Sequence, residues 1–232
     1  MPTIGFLHTA SAHVLTFRVL VGELAPGTGD VHVVDDGLLA DARRHGVDDA
    51  LRRRIGVRID ELASQGADVV VCTCSTIGGE AEAFGSAALP VVRIDRPMAR
   101  AAVEAATASG AGSGRAGTGG AGRIAVVVAV ASTLGPTRAV LADEARSAGR
   151  DVVLVNAPCL DAWGSFERGD VPGYLDQIAA HVDRLISSGS AEVVVLAQAS
   201  MAPVAERFAD ADVPVLCSPR AAVSFAAGLL AR

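Results

Sequence analysis

Apolar residues in this chain gather in short unbroken runs, not in an alternating pattern. The runs are TIGFLH (3–8), DVHVVDD (30–36), DVVVCT (68–73) and LPVVRID (89–95), followed by RIAVVVAV (123–130), DVVLVN (151–156), EVVVLAQ (192–198) and VPVLCS (213–218). Between them lie longer amphipathic segments rich in alanine and arginine. A strand covered on both faces needs continuous hydrophobicity, whereas a strand with one wet face alternates. Strand, helix, strand, helix in succession predicts an α/β fold with parallel sheets.

The second set of runs repeats the first. Asp68-Val69-Val70-Val71 and Glu192-Val193-Val194-Val195 stand 124 residues apart, as do Pro90-Val91-Val92 and Pro214-Val215-Leu216, while Asp30-Val31 and Asp151-Val152 stand 121 apart. One such match means little among valine-rich strands. Four strands in the same order, three of them matched at nearly constant spacing, indicate an internal duplication. The expectation is two pseudo-symmetric Rossmann-like halves, each a four-stranded parallel sheet flanked by helices, with a cleft between them at the carboxyl ends of the strands. The halves are predicted as 1–97 with 219–232, and 98–218. The C-terminal AAVSFAAGLLAR should return to the first half as a helix. SGAGSGRAGTGGAG (109–122) reads as a flexible glycine-rich loop, because glycine at this density loses much backbone entropy on ordering.

Composition narrows the function. Aromatic residues are only 3% of the 232, too few for a base-stacking surface or an aromatic cage, and the net charge is −6. The one basic run, RRRIGVR from Arg52, reads as the solvent face of a helix, so no nucleic-acid partner is expected. The sequence contains no lysine, which excludes a Schiff-base lysine, pyridoxal-phosphate chemistry through one, and a P-loop lysine. No apolar run approaches a membrane span and Met1 leads straight into a strand, so a cytoplasmic protein with reduced cysteines and no membrane contact is expected. No Cys/His pairs stand at zinc-site spacing and no C-x-x-C is present, so no metal is expected.

Candidate chemistry lies at the strand ends. In VVVCTCSTIGG (69–79), Cys74 ends a strand and precedes two hydroxyls and two glycines, where a helix start can bind an anion and favour a thiolate. The alternative is a small buried hydrophobe, which is the better reading of Cys72. His8, ending the first run, can pair with Cys74 as an imidazolium–thiolate or serve as a hydrogen-bonded structural residue. Arg96 can clamp a carboxylate or pair with Asp95. Gln198, Ala199 and Ser200 occupy the corresponding strand end of the second half. Trp163 and Phe166 suit either a lid or a core anchor.

VVVCTCSTIGG followed 124 residues later by VVVLAQASMAP resembles the paired signature of the aspartate/glutamate/hydantoin racemase superfamily. The resemblance extends over nearly the whole chain. It implies two similar α/β halves, a dimer, and cofactor-independent proton transfer α to the carboxylate of a small amino acid or related acid. Cys74-Ser75-Thr76 maps onto the family's first cysteine motif, and Thr9, Ser75, Thr76, Ser132, Thr133 and Thr137 become carboxylate donors. The second cysteine is replaced by Gln198, and Ser200 and Met201 stand where a histidine usually follows. An amide is no base at neutral pH, though it can orient a carboxylate. A single-cysteine lyase or decarboxylase, or a small-carboxylate-binding protein, are the alternatives to a racemase. Cys159, which ends another strand, is a candidate substitute for the missing thiol.

Overall fold

The valine-rich runs become eight strands, all paired in parallel, in the computed structural model, which describes residues 1–112 and 121–231. The chain divides into two compact units, Met1–Pro97 with Ser218–Arg232, and Met98–Cys217. In the first, β1 (Thr3–His8), α1 (Ala12–Leu24), β2 (Gly29–Val34), α2 (Gly37–His45), α3 (Asp49–Ser64), β3 (Val69–Cys72), α4 (Ser75–Glu82) and β4 (Val91–Arg93) follow in order. The helix α5 (Arg96–Gly112) begins there and passes into the second unit. That unit contains β5 (Gly122–Val128), α6 (Ala131–Ser147), β6 (Val152–Pro158), α7 (Ala162–Glu167), α8 (Val171–Ser187), β7 (Val193–Leu196), a short 3₁₀ turn (Ala199–Met201), α9 (Ala202–Glu206) and β8 (Val215–Cys217). The C-terminal α10 (Ser218–Leu230) packs against α1 and β3 of the first unit.

The two sheets share one topology, β2-β1-β3-β4 and β6-β5-β7-β8, with matching registers such as Ile4 opposite Val69 and Ile124 opposite Val193. The central strands of the second sheet, β5 from Ile124 and β7, show why such runs are apolar. Ile124, Val126, Val193 and Val195 enter one core cluster, while Ala125, Val127, Val194 and Leu196 enter another. Successive side chains point to opposite faces, so a sheet covered on both sides leaves no position for a polar residue. Helix starts follow local chemistry. Asp48 caps α3 by accepting the Leu51 amide at 2.8 Å, and Asp170 caps α8 by accepting the Gly173 amide at 3.0 Å.

The glycine-rich segment divides differently from the expected loop. Residues up to Gly112 continue α5 and Gly122 opens β5, while 113–120 lie outside the described residues. Gly122 is a packing requirement, since a Cβ there would press into the backbone carbonyl of Ala106 on α5. Backbone cannot swing aside as a long side chain can. Gly122→Ala is therefore expected to destabilise the protein by about 1–3 kcal/mol in urea unfolding, with little change in denaturant slope.

Three arginines of the basic run on α3 are paired within their own unit. Arg54 and Arg58, one turn apart, both bond the buried carboxylate of Asp35, Arg54 also reaches Asp41 at 2.9 Å, and Arg52 reaches Glu80 at 2.8 Å. Burial raises the Asp35 pKa, but hydrogen bonds from Arg58 and Arg54 outweigh it and hold the carboxyl below its usual range. Such a group stabilises the fold above the unfolded carboxylate pKa of about 3.9, and that contribution is lost as pH falls through the folded value. Asp35→Asn is expected to cost about 1–3 kcal/mol at neutral pH, less than a fully buried pair because both guanidiniums remain partly in water. The difference from wild type should shrink in acid unfolding experiments. Among the described residues, no helix is long and apolar enough to cross a membrane.

Candidate active site

In the first sheet β2 and β3 lie on opposite sides of β1, so the connections leaving β1 and β3 diverge and open a crevice at their carboxyl ends. Cys74 sits there as the residue preceding α4, with extended backbone and 8% exposure. Burial pushes its thiol pKa up, and the Thr9 hydroxyl, the Ile77 and Thr76 amides and the Thr76 hydroxyl, all hydrogen-bonded to the sulfur, pull it back only in part. The expected thiolate-favouring helix start is present, yet desolvation outweighs it. The resting group is the neutral thiol. Ser75 and Thr76 are buried in the first turn of α4, and Cys72 is wholly in the core, its thiol directed at the Cys74 carbonyl at 3.8 Å.

His8 does not form the expected imidazolium–thiolate pair. Its Nδ1 meets Thr73 Oγ1 at 2.9 Å and its Nε2 meets His32 Nδ1 at 2.9 Å, so both nitrogens are occupied. Burial, then the neighbouring His32 and His13, lower its pKa to about 3 and keep the ring neutral. Arg96 is turned to a carboxylate on another element. It makes a two-pronged bond to Glu82 of α4, at 2.7 and 2.5 Å, while Asp95 is bonded by the buried Arg93 at 2.6 and 2.9 Å. Arg93 and Asp95 stand two residues apart at the end of β4 and are both buried, so each neutralises the other.

The second unit has the same crevice between β5 and β7, lined differently. Gln198 Oε1 accepts the backbone amides of Ala129 at 2.6 Å and Val130 at 3.1 Å, the two residues that join β5 to α6. Its carbonyl therefore occupies a pair of convergent donors that an anion could otherwise use. Ala199 opens the 3₁₀ turn, and Ser200 Oγ shares a 2.8 Å hydrogen bond with the hydroxyl of Tyr174 on α8. On α6, Thr133 and Thr137 are buried one turn apart, with Ser132 partly buried beside them. Thr137 Oγ1 is buried without a hydrogen-bond partner among the described residues. Cys159 lies at the end of β6, half-buried, with its thiol 3.9 Å from the Gln177 carbonyl, and burial raises its pKa. It is not at the β7 end where the duplicated cysteine would stand. Trp163 and Phe166 stack at 4.8 Å and pack on the core cluster around Tyr174, the anchor reading.

Sequence reasoning overlooked Thr73, His32 and Asp30, which are tied to His8. A signal existed: Asp30 and His32 are two apart on one strand and must share a face. Among the described residues, no group of three His, Cys, Asp or Glu could hold a metal.

Several solved structures share this fold. Aspartate racemase from Picrophilus torridus superposes with a TM-score of 0.71 at 12% identity, covering 100% of this chain and 95% of that one. Allantoin racemase from Klebsiella pneumoniae gives 0.66 at 19% identity, covering 100% and 88%. A mutant of arylmalonate decarboxylase in a sulfate ion associated form gives 0.58 at 18% identity, covering 99% and 94%. At such identities the likeness is one of fold. No curated protein matches the sequence. The family model described as Asp/Glu/Hydantoin racemase matches residues 31–226, most of both units, and the chain belongs to that family.

Proposed function

We propose that this protein is a racemase- or isomerase-type enzyme that moves a proton at the carbon α to the carboxylate of a small amino acid or related acid, without a cofactor and with Cys74 as the proton carrier. The observation that carries this reading is the setting of Cys74, a buried thiol at the switch-point crevice with the Thr9 hydroxyl and the Thr76 and Ile77 amides directed at its sulfur. Burial favours the thiol, which prevails at rest, and the donors lower the cost of forming the thiolate that takes a proton. In the thiolate form, sulfur removes the α-hydrogen and the electron pair moves into the carboxylate. Hydroxyl and amide donors stabilise the resulting enolate-like charge.

A one-faced reaction is the second reading, favoured by Gln198. Its carbonyl is committed to the Ala129 and Val130 amides, and an amide supplies no second base. A neutral Cys74 is a proton donor as it stands. If a substrate carboxylate leaves as carbon dioxide, the electron pair stays on carbon, Cys74 protonates it, and the thiolate regains its proton from water. Incubating the protein with small amino and hydroxy acids in heavy water tests both readings. Deuterium at the α-carbon with inversion supports racemisation, and deuterium with one configuration supports the one-faced reaction. No incorporation and no carbon dioxide release, with acids still bound, would leave a binding protein.

A further inference from the structure

The first unit carries a continuous chain of side-chain hydrogen bonds for which the proton transfer at Cys74 has no use. It starts at the sheet edge on β2, where the Asp30 carboxylate, also bonded by Arg18 at 3.1 Å, lies 2.5 Å from His32 Nε2. From His32 Nδ1 it passes to His8 Nε2 at 2.9 Å, and from His8 Nδ1 to Thr73 Oγ1 at 2.9 Å. Thr73 Oγ1 is also 3.1 Å from the Leu7 carbonyl. The two imidazoles stack with centroids 5.2 Å apart, Phe6 stacks on both, and Phe17 packs on His8. The next residue after Thr73 is Cys74.

With Asp30 ionised beside Arg18 and His8 neutral in its buried, aromatic-lined setting, counting hydrogens along the chain gives two complete solutions. The Thr73 hydroxyl has one hydrogen and two acceptors within reach. If it donates to His8 Nδ1, then His8 Nε2–H donates to His32 Nδ1, His32 Nε2–H donates to Asp30, and both rings are neutral. If it donates to the Leu7 carbonyl, His8 Nδ1–H donates to Thr73, His8 Nε2 accepts from His32, and His32 donates from both nitrogens as an imidazolium beside Asp30. The two states differ by one proton, and His8 is neutral in each.

We propose that His8 and His32 form a one-proton wire from Asp30 to Thr73, and that Asp30 and His32 are positioning residues for the strand end that presents Cys74. The wire stands on this geometry and on the buried setting that keeps His8 neutral. The positioning half rests on the assignment of Cys74 as proton carrier. The mechanism is mechanical: Leu7 O already accepts the Thr73 amide at 2.9 Å, and the hydroxyl adds a second bond to that carbonyl in only one of the two states. The other groups facing the pair are few. α1 contributes His13, 6.4 Å from His8 between ring centroids, and Arg18 on Asp30, while Arg220 of α10 is paired with Glu23. The depressed His8 pKa agrees with a ring that relays a proton without charging.

The test is a nitrogen NMR titration of the full-length protein, labelled in histidine, across about pH 5–8, where histidine changes charge. As pH falls, His8 should move its hydrogen from Nε2 to Nδ1 and remain neutral, at the same midpoint at which His32 takes up a proton. Asp30→Asn should move that midpoint down, since it removes the anion that favours the imidazolium. His32→Gln should abolish the swap, Thr73→Val should abolish it from the other end, and Thr73→Ser should restore it. Alkylation of Cys74 by iodoacetamide, followed by peptide mass, should show an inflection at the same midpoint that disappears in His32→Gln. A single His8 tautomer throughout, or a His8 ring that charges, overturns the wire. A swap with no Cys74 inflection overturns the positioning role. Absence of α-proton exchange in wild type, with the swap and the inflection intact, would count against the proposed chemistry and leave the wire standing.

Discussion

Serine in place of Cys74 is expected to reduce α-proton exchange in heavy water by about 10²–10⁴-fold, the range that one positioned acid–base group contributes. The substitution keeps the shape of the side chain and the Thr9, Thr76 and Ile77 donors that surround it. It removes only the acidity, because a serine alkoxide is out of reach near neutral pH. Unfolding measurements should show a change within about 1 kcal/mol, which separates lost chemistry from lost structure. Exchange that survives the change would end the assignment of Cys74 as proton carrier. The pH dependence discriminates further. Burial raises the Cys74 thiol pKa, so the thiolate is a minor species at neutral pH and grows tenfold per unit as pH rises towards that value. Removal of an α-hydrogen by Cys74 should accelerate over that range. Proton delivery by Cys74 to a carbanion needs the thiol, so it should hold level and then fall above the same pKa. The slope of the rate profile therefore tells the two readings apart.

Gln198→Cys is the second change with a large expected effect. It gives the second unit the thiol that the duplication places there, aligned with Cys74 through the 124-residue offset. Removing the glutamine leaves the Ala129 and Val130 amides without their side-chain acceptor, which costs about 1–3 kcal/mol if nothing replaces it. A thiolate at position 198 would restore an acceptor to those amides, as the Thr76 and Ile77 amides serve Cys74. The expected result is inversion at the α-carbon where wild type gives exchange with one configuration, a rise of about 10²-fold or more in racemisation. Chiral chromatography of the recovered acid measures it. If the variant is folded and exchanges protons but still yields one configuration, the second unit does not supply the missing base.

The hydrophobic pattern determined most of the fold. Runs such as TIGFLH and EVVVLAQ coincide with β1 and β7, because a strand buried on both faces tolerates no polar position and so marks itself in one dimension. The duplication and the VVVCTCSTIGG motif likewise sufficed for the racemase-family resemblance that the family model upholds. They also sufficed to place Cys74 at a strand end before a helix, since residue order alone fixes which element comes after a strand. The work of the side chains there was decided by contacts between distant positions. Arg96 finds Glu82 across 14 residues, Asp35 draws two arginines from α3, and His8 turns to His32 and Thr73 on the strands either side of it. Gly122 shows the same limit, since composition marks it as flexible and only the approach of α5 shows it as indispensable packing. The ionisation of Cys74 was likewise settled in three dimensions. A helix start is legible in sequence, but desolvation depends on every element that closes over the thiol, and here it prevails.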